Sequence, residues 1–473
     1  MPCAAPAQTL SSLPISTALG FERVRLPQGE HMGLVGGTLL FDIDPDWSAG
    51  PAIYGAASGD RGGFFVGGVE VQRRWRLASG WSLSAGLYAG GGGGAGAPVG
   101  GGLMLRPALT VLKDLGPSLQ AGLSWASVRF PSGQIASNQL GVTLRWRGEF
   151  VHANPRDDGA SIGLSPPTGL GFDRMSLTAT SYRLSDGSGR RIGLAGARAE
   201  RRSSADGFSW GFEAAAAAKG DAAGYLEILG SAAFSTPVMA TAQPSWRVGA
   251  RLSAGLAGGG AVPTGGGLIV KAAGTMEWRF APGWTLGGEL GSVRGIDGPL
   301  RARQAQVWIG SDLEPGHDGR GEATGHVVRS EWVGVLQHHT RIERRDGTRQ
   351  PLDTIGLKLN RYLDDHLYLS GQAHSAYAGG AGAYSVGLVG AGIVTRADAP
   401  LRGGAEVLVG AAGGGGVETG GGGIVQGMLW AGWDPSPKSE WRAGIGAMRG
   451  WRGGQNTPVL ELSWSRSFGM AGR

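Results

Sequence analysis

The sequence predicts an all-β protein that crosses a membrane as an antiparallel β-barrel. Three observations support this prediction: apolar and polar residues alternate along most of the chain, glycine clusters separate the alternating segments, and one order of segments occurs three times. Alternation with a period of two is typical of strands with one apolar and one polar face, and helical periodicity is nearly absent. We expect one transmembrane barrel of about 24 strands built from three eight-strand repeats; the alternative is three tandem eight-strand barrels.

The composition excludes several other classes of protein. The chain has 473 residues, of which 91 are glycine, a share far above the usual value of about 7%. No run of about 18 apolar residues occurs, so transmembrane helices are not expected. The net charge of +6 comes from scattered arginines rather than from blocks, which argues against a nucleic-acid partner. Cys3 is the single cysteine, and we expect no disulfide, no metal and no cofactor.

Alternation is clearest in the segments 65–77, 139–150 and 268–280. In the second of these, for example, Leu140 and Val142 alternate with polar or charged residues. Each segment has ten or more residues, about the length that a tilted strand needs to cross a bilayer. The apolar faces end in Trp or Phe, as in the aromatic girdle at a membrane interface, and this favours a membrane barrel over a soluble all-β protein.

A threefold repeat is the strongest signal in the sequence. Three glycine-rich stretches, each between two apolar segments, read AGGGGGAGAPVGGGL at 89–103, AGGGAVPTGGGL at 257–268 and AGGGGVETGGGGI at 412–424. The segments that follow them also match one another. The predicted divisions are a tail at 1–16, repeat units at 17–150, 173–312 and 327–468, linkers at 151–172 and 313–326, and a tail at 469–473. The first tail is either flexible or the remnant of a signal peptide, because Ala5-Pro6-Ala7 resembles a signal-peptidase site.

The last predicted strand, 459–468, has alternating hydrophobic residues and ends at Phe468. It resembles the closing strand of Gram-negative outer-membrane β-barrel proteins, although five further residues follow the phenylalanine here. A similar string closes the first unit at 140–150. The resemblance is to the class and to no specific family. It implies a location in the outer membrane, the lipid bilayer and the barrel assembly machinery as partners, and tight turns such as 44–46 and 364–365 on the periplasmic side.

The two arrangements of strands differ in what fills the lumen. A barrel of about 24 strands would have a diameter of roughly 45–50 Å. Such a lumen needs a plug, which could be the glycine-rich hairpins folded inward or a periplasmic or secreted partner. Three eight-strand barrels would instead be filled by their own side chains. The string that ends at Phe150 suits three small barrels, whereas the second unit has no terminal Phe.

Basic residues on the polar faces are the first candidate site. A ring of such side chains attracts anions inside a pore, and the alternative is that they pair with Glu70, Glu149 and Glu277 without any selectivity. The predicted lumen-lining basic residues are Arg74, Arg76, Arg106, Arg145, Arg147, Lys271, Arg279, Arg301 and Arg303.

The glycine-rich hairpins are the second candidate site. Their backbone N–H groups could line a constriction, but we favour the interpretation that glycine permits sharp curvature or flexible loops. The hairpins are represented by Gly91, Gly100, Gly259, Gly265, Gly414 and Gly420.

The function that we predict is a channel or export conduit for anionic solutes or an acidic polysaccharide. A non-conducting barrel that anchors a surface or periplasmic assembly is the alternative, and a lipid-modifying hydrolase is a second one. We do not expect an enzyme and assign no catalytic residue, because His374-Ser375 and His338-His339 are the only suggestive pairs. No GxSxG or HExxH motif accompanies them.

Overall fold

The computed structural model describes residues 10–163, 167–186, 189–203, 207–238, 246–314, 324–395, 401–436, 438–453 and 455–472. These residues form 25 β-strands and three short 3-10 turns. No helix among them has the length and apolar character needed to cross a membrane. All neighbouring strands are antiparallel, and they lie in three separate sheets.

The first sheet is a closed barrel of eight strands, called barrel 1. Its last strand pairs with its first, from Ser11 opposite His152 to Glu22 opposite Gly141, so the sheet has no free edge. The strands of barrel 1 are β1 (Ser11–Arg25), β2 (His31–Asp42), β3 (Trp47–Ser58), β4 (Phe65–Arg76), β5 (Trp81–Gly93), β6 (Met104–Asp114), β7 (Leu119–Arg129) and β8 (Ala136–His152).

The second sheet is also a closed barrel of eight strands, called barrel 2. It is preceded by a short strand, β9 (Ser161–Gly163), that pairs with the third sheet. The strands of barrel 2 are β10 (Arg174–Leu184), β11 (Arg191–Arg202), β12 (Phe208–Lys219), β13 (Leu226–Pro237), β14 (Trp246–Gly258), β15 (Leu268–Ala281), β16 (Trp284–Gly295) and β17 (Arg301–Asp312).

The third sheet, called barrel 3, closes because its first strand pairs with both its second and its last strand. The strands of barrel 3 are β18 (Thr324–Glu343), β19 (Arg349–Tyr362), β20 (Leu367–Ala378), β21 (Ser385–Val394), β22 (Leu401–Gly413), β23 (Gly423–Ser436), β24 (Ser439–Gly450) and β25 (Asn456–Gly472). The strand β25 therefore includes residues that the sequence placed in the 469–473 tail.

The prediction of all-β antiparallel barrels is confirmed, and the strands are arranged as in the alternative with three barrels. A single barrel of about 24 strands would require each unit to pair with the next one along the chain. Instead, β8 returns to β1 and β17 returns to β10, so each sheet closes before the next barrel begins. Eight strands give a barrel just wide enough to be filled by side chains.

The two ends of each barrel differ in the length of their connections. One end, called the turn end, carries short connections such as 43–46, 77–80 and 115–118. The other end, called the loop end, carries longer connections such as 59–64 and 94–103. All three glycine-rich hairpins lie at the loop end, and the tight turns 44–46 and 364–365 lie at the turn end.

The outer surface of the barrels is apolar. Leu140, Leu290 and Leu401, one from each barrel, are 73%, 72% and 71% exposed. Folded soluble proteins rarely expose contiguous apolar patches of this kind, whereas lipid-facing strands do. Exposed tryptophans gather at the turn end, as an interfacial girdle does; they include Trp47, Trp81, Trp246, Trp278, Trp284, Trp433 and Trp441.

Candidate functional site

The lumen of barrel 1 is filled by a hydrogen-bonded network of charged and polar side chains. Arg106 donates from Nε and Nη2 to the two carboxylate oxygens of Glu22, at 2.9 and 3.0 Å. It also donates to the hydroxyl of Tyr54, which donates to Glu70 at 2.8 Å. A cavity of about 20 Å³ beside this group has room for about one water molecule. Each of these polar groups has partners, and together they occupy the middle of the barrel.

Besides the ion pairs that Arg174 makes with Glu277 and Asp312, barrel 2 contains two buried ion clusters. In one, Arg198 lies 2.6 Å from Glu213 and 3.5 Å from Glu289. Arg251 also lies 3.4 Å from Glu289. In the other cluster, Lys271 lies 2.5 Å from Glu227, which accepts hydrogen bonds from two tyrosine hydroxyls. Opposite charges are therefore paired at close range throughout the lumen.

Barrel 3 holds the largest of these clusters. Three guanidinium groups and three carboxylates are connected there, and Glu331 alone lies 2.6 Å from Arg442 and 3.4 Å from Arg402. The members are Arg329, Arg402, Arg442, Glu331, Asp434 and Glu440. The charges are balanced, as they must be where few water molecules can solvate them.

An apolar plug closes each lumen at the loop end. In barrel 1 the plug contains Phe64 and Phe130, whose ring centroids are 6.1 Å apart in an edge-to-face arrangement. Leu34 and Val66 in the same cluster have no exposed surface. Barrels 2 and 3 have corresponding clusters around Tyr225 and Tyr384. The apolar plugs and the ion clusters therefore place buried side chains across the lumen of each barrel.

The nine basic residues predicted to line the lumen fall into three groups. Arg106, Arg145 and Lys271 are buried inside the barrels. Arg74 pairs with Asp42 at 2.9 Å, and Arg147 pairs with Asp114, both near the turn end. The others are exposed: Arg76 and Arg279 near the turn end, and Arg301 and Arg303 near the loop end.

The placement of Arg301 and Arg303 corrects the sequence-based assignment. Along β17 the buried residues are Ala302, Gln304 and Gln306, so the two arginines point away from the lumen. Near the two arginines the lumen face of β17 carries the neutral amides of Gln304 and Gln306, so a charged residue does not mark that face here. Arginines at a strand end can reach the membrane interface from the outward face, because their side chains are long.

Most of the lumenal charges were missing from the sequence-based set. The signal that could have found them is a charged residue two positions away from another polar residue, because such residues share one face of a strand. Glu277 pairs with Arg174, which was not among the nine predicted basic residues, and Glu149 is exposed. The missed residues are Glu22, Arg174, Arg198, Glu200, Glu213, Glu227, Arg251, Glu289, Glu331, Lys358, Arg402, Glu406, Glu440, Arg442 and Glu461.

The glycine-rich hairpins form the contacts between barrels. A Cβ atom on Gly91 would lie 2.6 Å from the carbonyl oxygen of Ala376 in barrel 3. A Cβ atom on Gly63 in barrel 1 would lie 2.1 Å from the nitrogen of Gly259 in barrel 2. These backbones can approach so closely only because neither residue has a side chain.

The contacts between barrels form a closed head-to-tail ring. The hairpin of barrel 1 packs against barrel 3, that of barrel 2 against barrel 1, and that of barrel 3 against barrel 2. In the third contact, a Cβ atom on Gly224 would lie 2.8 Å from the nitrogen of Gly414. A Cβ atom on Gly100, Gly265 or Gly420 would meet a loop of its own barrel. The carbonyl oxygens of Gly100 and Gly265 also accept hydrogen bonds from another barrel, from the N–H groups of Gly382 and Gly62. The hairpins therefore pack the barrels against one another.

The closing phenylalanines lie at a second contact between barrels 1 and 3. Phe150 and Phe468 are 4% and 8% exposed, and their ring centroids are 5.1 Å apart. Trp332 and Phe41 complete this aromatic group. The two strings with a terminal Phe therefore meet each other, so these rings are shielded from lipid.

An ion pair at the loop end connects three loops of barrel 1. Arg61 donates to both carboxylate oxygens of Glu30, at 2.7 and 2.6 Å, and to the carbonyl oxygen of Ala95 at 2.7 Å. These hydrogen bonds hold the pKa of Glu30 below its ordinary value. The pair lies beside the contact with barrel 2, where Gly62 N–H donates to Gly265 at 2.8 Å.

We expect the loop end of barrel 1 to loosen in acid. A carboxyl group with a lowered pKa contributes stability above its unfolded value of about 4.3, and this contribution is lost as the pH falls through the folded pKa. Protease cleavage within 26–30 and 59–64 should therefore increase below about pH 4. The variant Glu30→Gln should be cleaved equally above and below this pH. An acid-induced increase in cleavage as large as in the unchanged protein would contradict the role given to the Arg61–Glu30 ion pair.

The residues considered for an enzyme are not arranged as a catalytic group. His339 and His374 are buried in the lumen, and no ring nitrogen of either has a hydrogen-bond partner within the described part of the chain. Ser375 is on the opposite face and contacts the hydroxyl of Ser385. His338 lies 2.7 Å from Asp353 on the outer face of the sheet. No serine, histidine and carboxylate in this set come together.

Comparisons with known proteins add little to these observations. No protein-family model matches the sequence, and no curated protein matches it. Solved structures match over nearly the whole chain, but with low TM-scores. OpdK of Pseudomonas aeruginosa with vanillate is 12% identical and covers 97% of this chain and 98% of its own, with a TM-score of 0.23.

Two further solved structures show the same weak similarity. OccAB3 of Acinetobacter baumannii is 7% identical, covers 97% of this chain and 100% of its own, and has a TM-score of 0.23. The siderophore receptor PirA of Pseudomonas aeruginosa is 12% identical, covers 98% and 81%, and has a TM-score of 0.28. OpdK is described as an outer membrane protein. These similarities do not bear on how the three barrels are arranged. The barrel class predicted from the closing strand is confirmed by the closed antiparallel sheets and their apolar outer surface.

Proposed function

We propose that the protein is a non-conducting platform of three fused barrels in the Gram-negative outer membrane, anchoring a surface or periplasmic assembly. The observation that carries this proposal is the apolar plug at the loop end of every barrel. Side chains of the chain itself fill each lumen, so no partner protein is needed there. The ring of glycine contacts joins the three barrels into one unit, which suits an anchor better than three separate barrels would.

The orientation in this proposal follows from the connections. Outer-membrane barrels have short periplasmic turns and longer extracellular loops. The turn end therefore faces the periplasm, and the glycine-rich loop end faces the outside. A surface assembly would contact the loops, and a periplasmic one would contact the turns. The barrel assembly machinery is the expected partner during insertion.

Passage of anionic solutes or an acidic polysaccharide is the second candidate function. The observation that favours it is exposed Arg76 at the turn-end opening of barrel 1, beside Arg74 and Arg147, which are paired with Asp42 and Asp114. Such an opening would concentrate anions. Passage through the barrel would require the plug around Phe64 and Phe130 to move, since the plug separates this opening from the loop end.

Conductance in a planar lipid bilayer distinguishes the two functions. For the platform we expect no current steps above those of a protein-free bilayer. Insertion is checked in the same preparation by protection of the strands from protease and by the gel mobility shift between unheated and heated samples. Steps with an anion-selective reversal potential in a salt gradient would contradict the platform and support passage.

A further inference from the structure

Barrel 2 carries a row of arginines on its outward face at the loop end. Arg183 in β10 lies directly opposite Arg191 in β11 on one side and Arg303 in β17 on the other. All three side chains are exposed and point away from the lumen, because they alternate with buried Tyr182, Ile192 and Ala302. Neighbouring strands are about 4.8 Å apart, so three positive charges fall within roughly 10 Å.

Within the part of the chain that the structure describes, this row has no negatively charged partner. None of the three arginines takes part in an ion pair or side-chain hydrogen bond anywhere in the described ranges. Two more exposed arginines, Arg294 and Arg301, lie opposite each other on the adjoining strands β16 and β17 and are likewise unpaired there. Like charges directly opposite one another destabilise a sheet. An anion from outside the chain would therefore stabilise the row by binding to it.

The shape and surroundings of the row indicate what kind of anion this is. A surface groove of about 360 Å³ is lined by Arg183, Arg191 and Arg303 together with Leu290 and Gly291. Towards the turn end the same face continues as exposed apolar side chains, among them Leu177 and Val307. A ligand that fits carries phosphate at one end and hydrocarbon at the other.

The row also lies on the part of barrel 2 that is directed towards lipid. Contacts with the other two barrels are made mainly by β12, β14 and β15, whereas the row is on β10, β11 and β17. Part of the pattern recurs in the other barrels. Arg129 in barrel 1 and Arg449 in barrel 3 each lie opposite a branched apolar residue on the preceding strand, as Arg294 does in barrel 2. The row of three arginines occurs only in barrel 2 among the described strands.

We propose that the groove on barrel 2 binds the phosphorylated glycolipid of the outer leaflet, with Arg183, Arg191 and Arg303 contacting its phosphate groups. Guanidinium groups form paired hydrogen bonds with phosphate, which a single ammonium group cannot do. The acyl chains lie along Leu290 and the apolar face below it. The proposal uses the orientation given above, in which the loop end is at the outer leaflet.

Native mass spectrometry of the full chain in detergent, with bis-phosphorylated lipid A as the probe, tests this proposal. We expect the triple variant R183Q/R191Q/R303Q to bind lipid A at least about tenfold more weakly than the unchanged protein. The control R73Q/R279Q/R466Q removes three exposed arginines at the turn end and should bind as the unchanged protein does. Gel mobility before and after heating shows that each variant is folded.

Two further probes identify the source of the phosphate. Lipid A without its phosphates should bind weakly to the unchanged protein, and phosphatidylglycerol should bind more weakly than bis-phosphorylated lipid A. Equal binding of phosphorylated and dephosphorylated lipid A would overturn the proposal, as would equal loss in the two triple variants. Phosphatidylglycerol binding as strongly as lipid A would overturn the assignment to a glycolipid. None of these outcomes depends on whether the barrels conduct.

Discussion

Replacement of Gly63 by alanine is expected to open the contact between barrels 1 and 2, whereas the same replacement at Gly29 should leave it intact. Both glycines have a positive φ, +94° and +82°, so alanine adds a similar backbone strain of about 1–2 kcal/mol at each. Only at Gly63 does the new Cβ atom meet another backbone, with Gly259 N at 2.1 Å and Gly258 C at 2.4 Å. At Gly29 nothing lies within 4 Å.

The clash at Gly63 cannot be relieved by turning a side chain, because the atoms it meets are backbone atoms of another barrel. Overpacking of this kind typically costs about 1–3 kcal/mol, in addition to the shared strain. We therefore expect Gly63→Ala to lower the free energy of unfolding by more than Gly29→Ala does. We also expect it to speed hydrogen exchange at the Gly62 amide, which donates to Gly265 across the contact.

Hydrogen exchange measured by mass spectrometry on peptides that cover 56–68 and 259–268 provides the readout. Faster exchange in both peptides of Gly63→Ala, with Gly29→Ala unchanged there, supports the ring of barrels. If exchange is the same in the two variants, the contact does not hold the barrels together. The glycine content of these loops would then have to be explained by loop geometry alone.

The sequence predicted the strands well, because alternation is a local property. Leu140 and Val142 are outward in the structure, as the pattern around them required. Alternation does not determine where a sheet closes. The choice between three barrels and one depends on whether β8 pairs with β1 or with β10, the first strand of the next unit. Because β1 and β10 are both alternating strands, the sequence alone does not distinguish them as partners of β8.

The lumen was harder to predict than the strands for a related reason. A single sequence shows which residues share a face, but it does not show which charges meet across a barrel. Arg106 and Glu22 are 84 positions apart and form a two-point ion pair. The same limit explains why Arg303 was placed in the lumen. On its own strand the polar residues nearest to it on the lumen face, Gln304 and Gln306, are neutral, so charge alone misidentified the side.

Replacement of Glu331 by glutamine is expected to give the largest loss of stability in barrel 3. The side chain is completely buried and lies between Arg442 at 2.6 Å, Arg329 at 3.2 Å and Arg402 at 3.4 Å. Glutamine keeps the size but removes the charge, which leaves three guanidinium groups with two carboxylates. Removing one partner of a buried ion pair costs about 3–5 kcal/mol. We expect a loss of this size in the free energy of unfolding by urea.

Two further variants separate charge balance from packing. Glu149 is an exposed glutamate, and Glu149→Gln should change the unfolding free energy by no more than about 0.5 kcal/mol. The double variant E331Q/R442M restores the balance of charges, so it should recover part of the loss that E331Q shows alone. Additive losses in the double variant would show that hydrogen bonding or shape, rather than uncompensated charge, stabilises this lumen. Partial recovery would mean that barrel 3 is stabilised by the matching of its buried charges, so that both signs of charge must be kept together in its lumen.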